Sequence, residues 1–346
     1  RKELSKYQKI FDAKGGAAIL MNVNNGEILS MVSLPDFDLN KRETIVDVNY
    51  INRVTKGTYE LGSVFKTFTI ASGINHGLIE PETKFLDSKK SINCGDGYTI
   101  NEYDNKMPSD LSVENILIKS GNIGSVRIVR KIGVEKHKSF LETIGILDKI
   151  SFDIDEVGKP LKIDWNEGCK IETIAFGHGI TTTILQLAKG YAIISNGGYE
   201  ITPTLIKDNS NKKIKRLKVL SNDVSKKMNI MMRKVVSEGT AKLVNVEGYQ
   251  VGGKTGTAEQ VSNSIYSKTK INTLASIFPT DNPKFVLVVM LESTKNNKDY
   301  TYEYRDGSGF KLLGSPRNTA GWTTVEAAGK IIDKIGPILA TKYIEN

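Results

Sequence analysis

Strand-forming segments stand near both ends of this chain with helix-forming segments between them, and that separation limits the fold more than any other feature. Residues 17–21 read as a strand, Asn25-Gly26 as a tight turn and 27–34 as the returning strand of a hairpin. Sheet character returns only at 249–261, at 273–278 and in the run 284–292, whose unbroken hydrophobicity suits a central strand buried on both faces. Helical spacing occupies 63–76, 112–119, 126–144, 183–195, 223–238 and 324–339. The economical arrangement is an α/β (α+β) fold with one mostly antiparallel sheet, joined by the early hairpin and covered by helices on both sides. An all-helical insertion at 78–165 then faces the sheet, and a site is expected at the seam.

At 346 residues the chain suits one large α/β body with a sizeable insertion, or two subdomains. A hydrophobic content of 39% with 25% charged residues argues against disorder, collagen and coiled coil. The net charge of +9 suits a polyanionic partner such as nucleic acid, an anionic membrane surface or a cell-wall polymer. The densest basic run, 207–218, holds Lys212, Lys213, Lys215, Arg216 and Lys218 without an aromatic residue for base stacking. It reads as a solvated hairpin, and no nucleic acid is expected.

Cys94 and Cys169 do not make a disulfide framework; two unbridged thiols are the favoured reading, with a bridge left open. No Cys/His cluster offers a zinc site. The scattered His76, His137 and His178 argue against a histidine metal cage and a serine–histidine triad, so no metal or cofactor is expected. The longest apolar run, 285–291, falls far short of the ~18 residues needed to span a bilayer, so the chain reads as soluble. It begins at Arg1 with no leader or apolar anchor, as a piece of a longer polypeptide does.

Three short motifs carry chemistry. Ser63-Val64-Phe65-Lys66 opens a helix and puts a hydroxyl and an amine three residues apart on one face, so that Lys66 can reach the Ser63 oxygen. Ser120-Gly121-Asn122 falls in a loop between two helices, and Lys254-Thr255-Gly256-Thr257 falls on a strand. Each is commonplace alone; in this order they match the serine enzymes that attack β-lactams. A lysine with a pKa of about 10.4 is neutral in only about one molecule in 2,500 at pH 7, so the site must lower that of Lys66 by roughly two to three units. Burial, the positive helix end and a second ammonium at Lys254 all act in that direction. Ser120 can relay protons between the lysines, and Asn122 can hold a substrate amide. Thr255 or Thr257 can hydrogen-bond a terminal carboxylate attracted by Lys254, with Gly256 admitting substrate backbone. The backbone N–H groups of Ser63 and Thr257 suit an oxyanion. His178, between two glycines, reads as a turn residue supporting the site and not as the base.

With these motifs the chain resembles the transpeptidase domain of class B penicillin-binding proteins over essentially its whole length, 1–346. Residues 22–29 with Pro35-Asp36-Phe37-Asp38 look like that family's opening hairpin, and Asn52-Arg53 like the segment before its nucleophile. Residues 176–180 with 185–188, and Lys254 through Glu259, are further hallmarks. Lys119 through Gly124 and Ala320-Gly321-Trp322 resemble the septal, cell-division branch of an alphaproteobacterial type. Leu61 stands where such enzymes usually carry proline, and Gly121 where serine is common; neither removes a catalytic atom. The resemblance implies a D,D-transpeptidase that removes a terminal D-alanine from peptidoglycan stem peptides, acylates Ser63 and passes the acyl group to a neighbouring stem. It also implies acylation by β-lactams, a place at the periplasmic face of the bacterial inner membrane, and a division glycosyltransferase and other divisome proteins as partners. The family's membrane anchor and non-catalytic pedestal have no counterpart in the chain. Two rivals share the acylation step: a serine β-lactamase, for which no carboxylate base for a deacylating water stands out, and a penicillin-sensing receptor domain.

Overall fold

The two ends of the chain meet in one sheet. In this computed structural model the described residues are all of 1–346 except 42–49, 96, 208–215, 263–264, 304–308, 312–317 and 344–346. Helix α1 (Lys2–Ile10) leads into β1 (Gly15–Asn22) and β2 (Ile28–Leu34). A 3-10 turn over Gly62–Phe65 runs directly into α2 (Lys66–Asn75), which stops before Gly77 at φ +65°. The lobe that follows holds β3 (Lys84–Phe85), β4 (Ser91–Asn93), β5 (Thr99–Asn101), β6 (Leu111–Ser112), α3 (Val113–Lys119), α4 (Asn122–Ile132) and α5 (Val134–Thr143), and α6 (Lys170–Ile174) comes after it. Then come α7 (Ile184–Ser195), α8 (Asn222–Ser237), β7 (Gly252–Ser262), β8 (Ile265–Phe278), β9 (Phe285–Thr294), β10 (Thr301–Glu303), β11 (Gly309–Lys311) and α9 (Thr324–Tyr343).

The main sheet has the order β2-β1-β9-β8-β7 with every pair antiparallel, as expected for a hairpin docking onto late strands. Residues 285–291 of β9 are each at most 2% exposed, and burying side chains of this size stabilises by about 1.5–3 kcal/mol each. Both faces of the central strands are therefore covered: α1 packs on β1 and α9, α9 on β8 and β9, and α7 on β1, β8 and β9 from the opposite side. Strand β7 is left as an edge, and α8 and the 3-10 turn pack against it. The turn is pinned from below by Tyr191 of α7, whose buried hydroxyl lies 2.8 Å from the Val64 carbonyl and 2.8 Å from Thr67 Oγ1. Behind it, buried Arg53 pairs with Glu292 of β9 at 2.8 Å, tying the segment before the nucleophile turn to the sheet.

Several expectations are corrected. The lobe is not all-helical: β3 pairs with β6 and β4 with β5. The helix expected over 126–144 is two helices, because Gly133 at φ +82° breaks the backbone between α4 and α5. The polar stretch 294–319, between the last strand and the last helix expected from the sequence, contains the β10–β11 ladder, with Tyr302 and Phe310 packed on Trp322. Helix α1 is not among the helices expected from the sequence; it is polar except at Leu4, Tyr7 and Ile10, and it buries Leu4 and Tyr7. Most of the basic run 207–218 lies outside the described residues. The cysteines are bridged: Cys94 and Cys169 stand 5.4 Å apart at Cα and close a separation of 75 residues. On chain-entropy grounds a loop of that size stabilises by about 4 kcal/mol.

Candidate active site

Two lysines distant in sequence converge on one hydroxyl. Ser120, the C-cap of α3, adopts a left-handed backbone at φ 61°, which aims both its carbonyl and its Oγ at α2. Lys66 Nζ, fully buried, donates to the Ser120 carbonyl at 2.5 Å, to Ser120 Oγ at 3.2 Å and to Asn122 Oδ1 at 2.7 Å. From the other side Lys254 of β7, also fully buried, donates to Ser120 Oγ at 2.8 Å and to the Thr255 carbonyl at 3.0 Å. The expected loop at 120–122 is a joint between helices: Gly121 is the N-cap of α4 and Asn122 its first residue.

Burial pushes the Lys66 ammonium down to about 7, opposed by the negative charge of Glu102. Lys254 is driven well below the ordinary lysine value by burial and then by the charge of Lys66. Because the two amines share one buried hydroxyl, a proton on Lys66 disfavours a proton on Lys254. His178, which faces Lys66, is lowered to about 4 by burial and by that ammonium, and is a neutral ring at pH 7.

Ser63 sits within the 3-10 turn, one residue after Gly62. The expected Lys66–Ser63 contact is not formed: among the described residues no hydrogen bond joins the Ser63 hydroxyl to the lysine, because Nζ is taken by three fixed acceptors on the 120–122 joint. The role expected of Gly256 also changes. A Cβ there would stand 2.2 Å from the Leu61 carbonyl oxygen, so the space it leaves is filled by the nucleophile turn and not kept for substrate backbone. On the opposite face of β7, Thr257 Oγ1 donates to Asn272 at 3.1 Å and accepts from the Ala320 N–H at 3.0 Å. Thr255 instead pairs its hydroxyl with Thr240, 2.7 Å away.

Sequence reasoning missed Glu102, Thr240 and Asn272. Glu102 accepts from the backbone N–H of Asn122 at 2.8 Å and of Ile123 at 2.9 Å. Thr240 follows Glu238-Gly239 just after α8, and Asn272 is the cross-strand partner of Thr257. The period-2 register of two adjacent strands was the one signal that pointed to Asn272.

Residues 16–307 match the model of the penicillin binding protein transpeptidase domain. The chain belongs to that family. Among curated relatives, the penicillin-binding domain is 30% identical to the "Probable peptidoglycan D,D-transpeptidase FtsI" of Caulobacter vibrioides, over 98% of this chain and 56% of that protein. It is 31% identical to the peptidoglycan D,D-transpeptidase FtsI of Buchnera aphidicola, over 83% of this chain and 51% of the relative. The chain thus spans about half the length of these relatives. In fold it resembles the transpeptidase domain of Burkholderia pseudomallei penicillin-binding protein 3, with a TM-score of 0.81, 23% identity and coverage of 97% and 92% of the two chains. Penicillin-binding protein 3 of Mycobacterium tuberculosis complexed with aztreonam also superposes with a TM-score of 0.81, at 22% identity and coverage of 97% and 76%. The class B resemblance and the α/β fold read from the sequence are borne out.

Gly177 couples two hallmark segments of this penicillin-binding domain. It has φ +84°, its carbonyl accepts the Gly62 N–H, and a Cβ on it would stand 2.1 Å from the Gly62 carbonyl oxygen. Gly177→Ala is expected to destabilise the fold by about 1–3 kcal/mol through overpacking and backbone strain. Thermal unfolding monitored by circular dichroism checks it, and an unchanged melting temperature contradicts it.

Proposed function

We propose that this chain is the catalytic unit, 1–346, of a septal peptidoglycan D,D-transpeptidase that is acylated by β-lactams, with the lobe at 78–165 forming one wall of its site. The observation that carries the reading is the convergence of Lys66 and Lys254 on the Ser120 hydroxyl. An amine with a value near 7 is neutral often enough at physiological pH to serve as a base without histidine.

In the first half-reaction, neutral Lys66 takes the proton of Ser63 as its oxygen attacks the penultimate D-alanine carbonyl of a stem peptide. Once the tetrahedral intermediate has formed, the proton passes through Ser120 to the amine of the departing D-alanine, leaving an ester on Ser63. In the second half-reaction an acceptor amine on a neighbouring stem attacks that ester and returns a proton to Ser63. The N–H groups of Ser63 and Thr257 hold the oxyanion, a contribution of about 3 kcal/mol for each well-placed donor. Asn122 steers the substrate amide with the amide hydrogen it does not spend on the Asn101 carbonyl. The terminal carboxylate is held by the Thr255–Thr240 hydroxyl pair beside the field of Lys254, whereas the Thr257 hydroxyl is already engaged.

The substrate in this reading is the D-Ala-D-Ala end of peptidoglycan stems, in keeping with relatives called peptidoglycan D,D-transpeptidases. From the family resemblance we infer a place outside the cytoplasm, at the periplasmic face of the inner membrane, within a longer membrane-anchored protein that works with a division glycosyltransferase and other divisome proteins. No described helix is long and apolar enough to cross a membrane.

Thr255→Val is expected to weaken donors bearing a free carboxylate by about 10- to 100-fold in kcat/KM, the worth of a hydrogen bond to a charged group. Acylation by an amidated donor should change little, and equal losses for both donors would remove the assigned carboxylate contact. The function itself is tested with a D-Ala-D-Ala stem peptide and an added amine acceptor. Crosslinked product with release of D-alanine is expected. A fluorescent penicillin label that leaves within seconds identifies a β-lactamase, and a persistent label with no crosslinking identifies a sensor.

A further inference from the structure

Three consecutive residues grip the second motif from outside. Asn101, at the end of β5, accepts the Asn122 side-chain amide at 3.0 Å through its carbonyl. Glu102 receives the Asn122 and Ile123 N–H groups on its two carboxylate oxygens. Tyr103 donates its hydroxyl to the Lys119 carbonyl at 2.8 Å, on the residue before Ser120. Together these bonds span 119–123, the whole joint against which Lys66 is held. The hairpin that delivers them is fastened twice. Cys94 at its turn end is bridged to Cys169 at the start of α6, and Ile92, Cys94 and Ile100 pack with Ile123, Val126 and Phe176 in a small apolar cluster apart from the main core.

We propose that Glu102 is a positioning residue for the acylation step, clamping Asn122 and through it Lys66, and that the Cys94–Cys169 bridge holds the clamp in register. The proposal rests on the transpeptidase reading of the same site. A carboxylate bonded to the first N–H groups of α4 suits a helix N-terminus, and its charge complements the helix dipole. With both oxygens occupied, Glu102 fixes the rotation of the Asn122 backbone. The Asn122 side chain is then held between the Asn101 carbonyl and the Lys66 amine, so a loosened clasp moves the acceptor on which Lys66 rests. The titratable groups facing Lys66 are Glu102 beyond the joint, Lys254 on β7 and His178 on the 176–180 turn. Glu102 is the negative one among them. It favours the ammonium form of Lys66, opposing burial.

The test measures the rate of acylation by a fluorescent penicillin against pH in the wild type, in Glu102→Gln and in a Cys94→Ala/Cys169→Ala variant. For Glu102→Gln the plateau rate should fall about tenfold, since loss of alignment in a near-attack arrangement is costly. Its acid limb should move to lower pH, because Lys66 without that negative neighbour loses its proton more readily. The bridge-free variant should also show a lower plateau, and adding Glu102→Gln to it should cost less than it costs in the wild type, as coupled positions do. An acid limb that stays in place, even with a reduced plateau, overturns the proposal by leaving Glu102 a structural cap only. Independent, additive effects of the bridge and Glu102 overturn the part assigned to the bridge. Wild type that is not acylated at all contradicts the transpeptidase reading itself, a separate failure visible in the first measurement.

Discussion

Ser63→Ala reduces covalent labelling by a fluorescent penicillin to background, a loss of at least ~10⁴-fold in acylation rate, the scale seen when a nucleophile acting in concert with its base is removed. The chemistry leaves no substitute. Ser120 has a hydroxyl at the same centre, but its oxygen is held between two lysine amines within hydrogen-bond distance and its backbone is locked in the left-handed region. The fold should tolerate the change. Ser63 has no hydrogen bond to Lys66 to lose among the described residues, and the turn around it is anchored by its neighbours: Val64 by Tyr191, Gly62 by Gly177. Melting within a few degrees of wild type, together with absent labelling, is the expected pair of results. Stable labelling of the variant at another serine removes Ser63 from the mechanism.

Lys66→Ala should lower the acylation rate by about 10²- to 10⁴-fold, the usual worth of a positioned general base, with Lys66→Met as a control that refills the volume. The pH dependence separates this role from a merely structural one. Acylation requires the neutral amine, and burial has brought Lys66 to about 7, so the wild-type rate should rise with pH through that region and level off above it. Below it the ammonium dominates, and the base is lost as acid is added. In either variant that limb should disappear, leaving a slow rate with a different or flat profile. A wild-type profile already flat between pH 5 and 9 would place the base elsewhere; Lys254, lowered by burial and by Lys66, is the remaining amine at the Ser120 hydroxyl.

The sheet was legible because its signals are local and redundant. The Asn25-Gly26 turn favours a hairpin, and the unbroken apolar run 285–291 suits a doubly covered strand. The three motifs were legible because each carries unusual chemistry in a short span. What escaped notice depends on contacts between distant segments of ordinary composition. Glu102 meets Asn122 across twenty residues with no motif around it, and Thr240 meets Thr255 only because α8 packs on β7. The cysteine pair had the right residues but no spacing that specifies pairing, and proximity came from a hairpin too short to announce itself. The direction of the Lys66 side chain was misjudged for a related reason. Helical spacing places Lys66 beside Ser63, but it does not reveal three acceptors on another element that capture the amine. Gly256 was read as making room for a ligand when the close neighbour is the protein's own Leu61 carbonyl.

The most direct test is the mass of the intact protein after exposure to benzylpenicillin, followed by mapping of the modified peptide. One antibiotic should add its full mass to each molecule, because opening the β-lactam ring breaks the C–N bond without expelling a fragment, and the adduct should lie on the peptide containing Ser63. An adduct on another residue, or hydrolysed penicillin with unmodified protein throughout, would contradict a stable acyl-enzyme formed at the lysine-flanked turn.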